Sequence, residues 1–382
     1  MTRLRADTLA PLQRYLPGYA DAVGALPFAQ RETPGNAAIG LFRDHGGPGL
    51  LVPDAYGGGG LSATQAIGVQ RGIGYLSPST AVATTMHQFT IATLVEIVRV
   101  GASMEWMVIE AVARQHLLVA SGFAEGDPNG KVLRPTMRLK RHGVGYRLNG
   151  EKVPCSLSES MDLITVSAVV PEDGTERFAV ALVPAASEGL TVSTIWRSPV
   201  LAGAETGCVR FADVPVPQAA LSYVGDADEL DAIQVRGYAW FECLIAASYL
   251  GAAVALVDRV LANGRARAER ATAMASELAL CMAGLEACAG HLDRGDADSD
   301  LLATTLLVRY GVERAIQRAT DMAFELLGVT GLASSIDAAL LLAASRVLPF
   351  HPPSRVRAEA ALSRYLDGDE LILEPTHTTE PP

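Results

Sequence analysis

The sequence changes its hydrophobic period twice, and this constrains the possible folds more than any other feature. Up to about Leu118, and again from about Asp228 to Leu366, apolar residues recur at three- and four-residue spacing, which is typical of helices packed on one face. Between about Val119 and Pro217 the spacing becomes two, in short runs that predict strands. The chain is therefore predicted to form a helical region, a β-region and a second helical region, in that order.

The middle region is predicted to be a small β-barrel or sandwich. Its runs are separated by turn signals at Pro128-Asn129-Gly130, Asn149-Gly150 and Asp173-Gly174. The later helical segments are long, Ala-rich and closely spaced, which indicates an antiparallel bundle. The predicted domains are residues 1–118 (all-α), 119–222 (β) and 223–367 (helical bundle). The Pro/Thr-rich tail, 368–382, is predicted to be disordered. The fold class is α+β with several domains.

Charge and cysteine content narrow the class of protein. The 382 residues carry a net charge of -11 and no basic run, so nucleic acid and anionic membranes are poor partners. The longest apolar stretches, such as residues 243–257, are shorter than the roughly 20 residues that span a bilayer. The N-terminus lacks a signal-peptide pattern. Five cysteines without a C-x-x-C pair indicate reduced thiols and no metal site. We therefore expect a cytoplasmic enzyme.

Four segments resemble motifs of the acyl-CoA dehydrogenase superfamily, in the same order and at similar spacing. The segments are LLVPDAYGGGGLS, YRLNGEKVPCSLSESMDLITVSA, VRFADVPVP and ELLGVTGL. Arg346 stands where the arginine that follows the last motif in the family would be. Together they extend over residues 50 to about 355. The resemblance implies the same fold, with an N-terminal helical domain, a central β-domain and a C-terminal bundle.

The resemblance also implies a flavin held between the β-domain and the bundle, either FAD or, in one branch of the superfamily, FMN. The backbone of Phe123, Ala124 and Glu125 and the strand residues Cys155 and Ser156 would lie along the isoalloxazine ring. A hydroxyl at Ser156 suits the flavin N5 edge because it both donates and accepts hydrogen bonds. The alternative for Ser156 is an ordinary exposed strand serine.

Further cofactor contacts are implied on the bundle. Gly328 and Gly331 belong to the segment that resembles the family's glycine turn. Arg267 stands near the position of an arginine that reaches the flavin pyrophosphate across a subunit interface, and guanidinium geometry suits that group. The alternative for Arg267 is a solvated helix face. A homotetramer or homodimer is expected by the same resemblance.

The usual catalytic base of the family is missing. Removing the proton next to a thioester carbonyl requires a base, and a buried carboxylate with a raised pKa suits this step. The family carries a glutamate shortly after the Arg346 position, where this chain has Phe-His-Pro-Pro. A minority of the family places the base on the first long bundle helix, and Glu242 lies one residue beyond that position, about 100° around the helix. A salt bridge or a helix-dipole partner is the alternative for Glu242.

A second group in the superfamily consists of flavin monooxygenases, which oxygenate a substrate through a flavin C4a-hydroperoxide. Their pattern has a histidine in the N-terminal helices, a hydroxyl on the flavin strand and a histidine in a segment resembling FHPP. This chain has His87, Ser156 and His351 at these places. A histidine with a near-neutral pKa would suit proton exchange. The alternative for His87 is a core histidine bonded to a carbonyl, and the two prolines after His351 would then only end a helix.

Three functions follow. The first is an FAD-dependent dehydrogenase that oxidises an acyl thioester at its α,β carbons, with the acyl group on CoA or a carrier protein, in a specialised bacterial pathway. The alternative is a monooxygenase that uses reduced flavin and O2 on a small molecule. The third is a degenerate subunit that binds flavin or acyl chains only. The first requires an electron-transfer partner and the second a flavin reductase.

Overall fold

The computed structural model describes residues 2–101, 105–126, 135–172, 175–226, 231–264 and 266–373. The first part of the chain is helical, as its 3.6-residue period predicts. Its helices are α1 (Arg3–Tyr15), α2 (Tyr19–Ala25), α3 (Phe28–Arg31), α4 (Ala37–Asp44), α5 (Ala63–Leu76), α6 (Pro78–Val100) and α7 (Glu105–Gln115). Ser62 caps α5 with Gln65 in a reciprocal capping box, and Ser77 caps α6 just before a proline at its first position.

The middle of the chain forms strands, which pair into two four-stranded sheets among the described residues. The strands are β1 (Val119–Gly122), β2 (Leu139–His142), β3 (Gly145–Cys155), β4 (Leu163–Glu172), β5 (Thr175–Pro184), β6 (Leu190–Thr194), β7 (Gly207–Pro217) and β8 (Leu221–Asp226). One sheet has the order β1-β4-β5-β8 and the other β2-β3-β7-β6. The pairing of β1 with β4 is parallel, and the remaining pairs are antiparallel.

One predicted turn is wrong. Asn149 and Gly150 lie inside β3, where the register with β7 shifts by one residue. The extra residue of this bulge is on β7, where Asp213 has a φ of 58°, and the Asn149 side chain accepts a hydrogen bond from the backbone N–H of Asp213 at 2.8 Å. The hairpin between β2 and β3 turns instead at residues 143–144, where Gly143 has a φ of 60°. The predicted turns at residues 128–130 and 173–174 lie outside the described residues.

The last part of the chain is helical again. Its helices are α8 (Ala232–Ala262), α9 (Ala268–Arg294), α10 (Ser299–Ser334), α11 (Ile336–Ala344) and α12 (Arg355–Leu366). A short 3-10 turn, Leu348–Phe350, connects α11 to α12. The predicted order of helices, strands and helices is therefore confirmed. Most of the predicted disordered tail, from residue 374 onward, lies outside the described residues.

Helix α8 is the central element of the fold. It packs against α5, α6, α9, α10 and α11. By length and composition alone, α6, α8 and α9 could each cross a membrane, and α8 is longer than the apolar stretch that the sequence indicated. However, the apolar window of α8 is 100% buried by surrounding protein and that of α6 is 72% buried, whereas that of α9 is 39% buried. For α8, the helices around it account for its apolar composition.

Two glycines allow α5 and α8 to approach at backbone distance. A Cβ atom added to Gly74 would lie 2.0 Å from the carbonyl oxygen of Ser248, and one added to Gly251 would lie 2.1 Å from that of Arg71. No heavy-atom pair tolerates such distances, so any larger residue must push the helices apart. This contact fixes the position of α8 relative to the N-terminal helices.

We predict that Gly251→Ala destabilises the protein by about 1–3 kcal/mol or more, because the added methyl group overpacks a rigid backbone contact. Thermal unfolding monitored by circular dichroism should show a lower Tm. Gly311→Ala is the matched control, since Gly311 lies on the exposed face of α10 and a Cβ atom there meets nothing within 4 Å. That variant should be stabilised by about 0.5–1 kcal/mol through helix propensity. An unchanged Tm for Gly251→Ala would contradict the close contact.

Candidate active site

A largely apolar cavity of about 280 Å³ lies where α6 and α8 face the strand ends and the segment around His351. Its sheet side includes Ser121, Phe123, Ala124, Pro154, Ser156 and Thr206, and its helix side includes Phe89, Thr90, Tyr238, Phe241, Tyr249 and His351. No Asp, Glu, Lys or Arg of the described chain lines it. The described lining of the cavity therefore contains hydroxyl, amide and imidazole groups but no charged side chain.

Ser156 faces the cavity beside a second hydroxyl. It follows the last residue of β3, and its Oγ lies 2.9 Å from Oγ1 of Thr206, which precedes β7. Cys155 points the opposite way, because successive strand residues alternate, and its Sγ donates to the carbonyl of Ser121 at 3.5 Å. The side chain of Cys155 is thus buried outside the cavity, and Ser156 with Thr206 forms a hydroxyl pair on the wall.

The loops that flank the hydroxyl pair are held in unusual backbone conformations. Leu157 has a φ of 64° and Glu205 a φ of 54°, the left-handed region that non-glycine residues rarely adopt. The backbone N–H of Leu157 donates to Ala204, and the Glu205 carboxylate accepts from both the N–H and the hydroxyl of Ser160 at 2.8 and 2.7 Å. These bonds tie the two loops together, which fixes the positions of Ser156 and Thr206.

Phe123 and Ala124 line the cavity, whereas Glu125 does not. The carboxylate of Glu125 forms an ion pair with the fully buried Lys152 at 2.7 Å and accepts from the backbone N–H of Thr136 at 2.8 Å. Burial lowers the pKa of Lys152 to about 8 against the effect of this pair. The side chain of Glu125 therefore anchors the segment after β1, while the two residues before it form the wall.

His351 lies on the helix side of the cavity, directly after the 3-10 turn. Its Nε2 is 2.8 Å from the hydroxyl of Tyr249 on α8, and its ring packs edge-on against Phe241. Burial and the nearby charge of Arg309 lower the pKa of His351 to about 3. The expected near-neutral pKa is thus not what this environment produces. His351 is neutral at pH 7, so it can donate or accept a hydrogen bond there.

His87 does not line the cavity. Its Nε2 donates to the carbonyl of Pro48 at 3.0 Å, and its Nδ1 accepts from the backbone N–H of Val119 at 3.0 Å. Burial lowers its pKa to about 4. Both ring nitrogens are therefore engaged by backbone, which is the core-histidine arrangement. His87 joins α6 to the start of β1, so its effect on the cavity is through the position of these elements.

Glu242 also lies outside the cavity. Phe241 lines the wall, and Glu242, one residue further around α8, faces Arg309 on α10 at 3.2 Å. Both side chains are fully buried, and burial raises the pKa of Glu242 to about 8 although Arg309 opposes the shift. Glu242 therefore points about 100° away from Phe241 around the helix, as expected from the sequence. This direction places its carboxyl group away from the cavity, where a catalytic base would have to lie.

The residues expected to contact the flavin from the bundle are on the protein surface. Arg267 precedes α9 and is exposed, Gly328 interrupts α10 with a φ of 65° and is exposed, and Gly331 lies one turn later. None of the three lines the cavity. Their contact with a cofactor, which the resemblance places at a subunit interface for Arg267, stays a prediction.

Several polar residues of the cavity, Tyr249 and Thr206 among them, were not among the sequence candidates. Tyr249 carries no motif, and its position on the same buried helix as Phe241 was the available signal. Thr206 immediately precedes Gly207, which pairs with Cys155 across β3 and β7. That register could have indicated a hydroxyl opposite Ser156, but β3 and β7 shift register twice, between Leu148 and Gly150 and between Lys152 and Cys155, and sequence alone does not show these shifts.

Comparison with known proteins identifies related chains. The chain is 37% identical over 365 residues to an isobutylamine N-hydroxylase of Streptomyces viridifaciens, which covers 94% of this chain and 97% of that protein. It is 25% identical over 315 residues to a dibenzothiophene monooxygenase of Rhodococcus erythropolis, which covers 74% and 75% of the two chains. No family model matches the chain.

Solved structures show the same fold. The complex of KijD3 with FMN and a dTDP-linked amino sugar has a TM-score of 0.83 at 19% identity, covering 97% of this chain and 96% of that chain. The FAD complex of PigA has a TM-score of 0.78 at 16% identity, covering 96% and 98%. The arrangement of helices around two small sheets is therefore shared with flavin-binding proteins.

The prediction that the chain oxidises acyl thioesters at a CH–CH bond is wrong. The related chains are an N-hydroxylase and a dibenzothiophene monooxygenase, and no carboxylate of the described chain lines the cavity, where a proton next to a carbonyl would be removed. The alternative of a reduced-flavin monooxygenase agrees with both findings. The chain belongs to the acyl-CoA dehydrogenase superfamily, within its group of flavin-dependent monooxygenases.

Proposed function

We propose that this chain is a reduced-flavin-dependent monooxygenase that transfers one oxygen atom of O2 to the nitrogen of a small apolar amine. The proposal is based on a cavity whose described lining carries no charged side chain, with the Ser156–Thr206 hydroxyl pair on one wall and the His351–Tyr249 pair on the other. The 37% identity to an isobutylamine N-hydroxylase over nearly the whole chain supports the choice of an amine.

The sheet side of the cavity fits an isoalloxazine ring. Phe123, Ala124 and Pro154 provide a mostly apolar surface, and Ser156 adds a hydroxyl that can both donate and accept at the ring edge. Reduced flavin, when bound, supplies the electrons that activate O2 for transfer of one atom to the substrate. Since the described lining contains no Arg or Lys, the flavin phosphate would be bound outside the cavity, for which the exposed Arg267 is the candidate. Both FMN and FAD are compatible with this arrangement.

The cavity lining favours the free base of the amine. An ammonium ion has no lone pair to react with an electrophilic oxygen, and burying it without a carboxylate costs much more free energy than burying the neutral amine. The neutral His351 and the hydroxyl of Tyr249 can hydrogen-bond an uncharged amine without adding charge. We infer that these residues orient the amine nitrogen, while Phe89 and Phe241 enclose its apolar part.

Assembly and location are also proposed. Leu280 on α9 and Leu307 on α10 expose 71% and 40% of their surface, which suits contact with further copies of the chain. The family resemblance places Arg267 at such a subunit interface. We propose a cytoplasmic location, for which five buried cysteines without a disulfide are suited.

The first test is oxygenation itself. The purified chain, supplied with FMN or FAD, a flavin reductase, NADH and O2, should convert short branched primary amines to N-oxygenated products that mass spectrometry detects. Absence of flavin uptake in either redox state would contradict the whole proposal. Oxygenation of dibenzothiophene but of no amine would contradict the amine assignment and retain the monooxygenase.

We predict that Ser156→Ala lowers kcat for product formation about tenfold or more, which corresponds to roughly 1.4 kcal/mol or more of lost transition-state stabilisation. The reason is that the cavity loses the hydroxyl proposed to contact the flavin edge. Hydrogen peroxide should increase as product falls. Thr191→Ala removes an exposed hydroxyl on β6 and should change neither quantity. Full activity of Ser156→Ala would remove this residue from the site.

We predict that log kcat/KM rises with a slope near one from about pH 6 to about pH 9. An aliphatic amine has a pKa of about 10, so its free-base fraction grows tenfold with each pH unit below that value. The pKa of His351 is lowered to about 3, so its neutral form persists throughout and adds no inflection. Steady-state kinetics at fixed reduced-flavin supply measures the profile. A plateau above about pH 7 would show that the ammonium form binds productively.

A further inference from the structure

Arg309 on α10 is fully buried behind the segment that carries His351. Its Nη1 donates to the carbonyl of Pro353 at 3.0 Å, and its Nη2 donates to the carbonyls of Leu348 and His351 at 2.7 and 2.9 Å. One guanidinium group thus binds three carbonyls of a single short segment. Arg309 does not line the cavity, so its influence on the site passes through this backbone.

The segment has few backbone hydrogen-bond donors of its own. Pro349, Pro352 and Pro353 lack an N–H group, so half of residues 348–353 cannot donate a backbone hydrogen bond. Its internal bonds are those of the 3-10 turn, including the N–H of His351 to the carbonyl of Leu348 at 3.1 Å. Buried carbonyls require donors from elsewhere, and here a side chain supplies them. The hydroxyl of Tyr310 adds another, to Pro353 at 2.9 Å.

Two glutamate side chains lie next to the guanidinium of Arg309 at ion-pair distance. Glu242 on α8 lies 3.2 Å from its Nε, and Glu313, one turn along α10, lies 3.0 Å from its Nη1. A guanidinium remains charged even when buried, so it requires such partners and cannot move away from them cheaply. The position of the His351 segment therefore depends, through the guanidinium, on the relative position of α8 and α10.

We propose that Arg309 is a positioning residue that sets the orientation of His351 in the cavity, with Glu242 and Glu313 holding the guanidinium. Arg309 donates a hydrogen bond to the backbone carbonyl of His351, and the hydroxyl of Tyr249 forms a hydrogen bond with the imidazole of the same residue. This inference rests on the proposed function only for its activity readout, since the order of the segment can be measured without substrate or flavin.

The test uses two conservative variants and one control. Arg309→Lys keeps the positive charge between Glu242 and Glu313 but loses the planar fork that reaches three carbonyls. Tyr310→Phe removes a single bond to the same segment and leaves the packing intact. Arg318→Lys is the control, because Arg318 lies on the same helix and forms an exposed pair with Glu277. Thermal unfolding of each variant establishes that it is folded.

Two measurements are made on each variant. Hydrogen–deuterium exchange of the chain without ligand should be faster in peptides that cover residues 346–357 of Arg309→Lys, and less so in Tyr310→Phe, while peptides from α8 and α10 stay protected. With amine, kcat should fall between about tenfold and a hundredfold in Arg309→Lys, because a displacement near 1 Å has effects of this size. Hydrogen peroxide should rise, and KM should change less than kcat.

The outcomes separate the two proposals. Faster exchange confined to residues 346–357 of Arg309→Lys supports the positioning role. If the wild-type chain then oxygenates no amine, that second result contradicts only the proposed function. Wild-type exchange and wild-type kcat in both variants would overturn the positioning role. Faster exchange throughout α8 and α10 would also overturn it, since Arg309 would then be a general stability element. Arg318→Lys should match the wild type in every measurement.

Discussion

The burial of α8 along residues 234–258 is the constraint on which the rest of the structure depends. Because protein surrounds this helix on all sides, each of its faces has a separate task. Gly251 meets the backbone of α5, Phe241 and Tyr249 form the cavity wall, and Glu242 faces the guanidinium of Arg309. A helix with solvent on one side could turn or shift to accommodate a substitution. A substitution on this helix instead displaces several of the elements packed against it.

The site separates polar groups from charged ones. Groups at the described cavity surface are hydroxyls, an amide, an imidazole and apolar side chains. Charged side chains lie outside it, as Arg309 binds the carbonyl of His351 and Lys152 pairs with Glu125. This arrangement keeps the dielectric of the cavity low and its walls in place at the same time. The charged groups order the backbone, and the neutral groups contact whatever binds.

The sequence predicted the fold well because the fold depends on periodicity. The change from spacing of three and four to spacing of two placed β1 within a residue of its observed start, and the register that separates Phe241 from Glu242 followed from helix geometry. The turn predicted at Asn149-Gly150 was wrong because the pair lies inside β3, opposite a bulge on β7. Position in a sheet, and not local preference, decides between a turn and a strand here.

The candidate site was harder to predict, since it depends on contacts between distant residues. His87 and Glu242 are polar residues on apolar helices, and such residues are either active or internally bonded. Their partners, the carbonyl of Pro48 and the guanidinium of Arg309, are far away in sequence. The absence of a carboxylate in the FHPP segment was informative. The weight of the larger group in the superfamily nevertheless favoured the wrong reaction.

The buried group of Glu242, Glu313 and Arg309 has a consequence for the proton content of the folded chain. Because burial raises the pKa of Glu242 from 4.5 to about 8, this carboxyl group keeps its proton at neutral pH in the folded chain. The unfolded chain releases that proton at its ordinary pKa. Folding stability from this site is therefore complete in acid below that value and is progressively lost as the pH rises toward 8. The interior of this acidic protein thus tolerates mild acid better than mild alkali at this position.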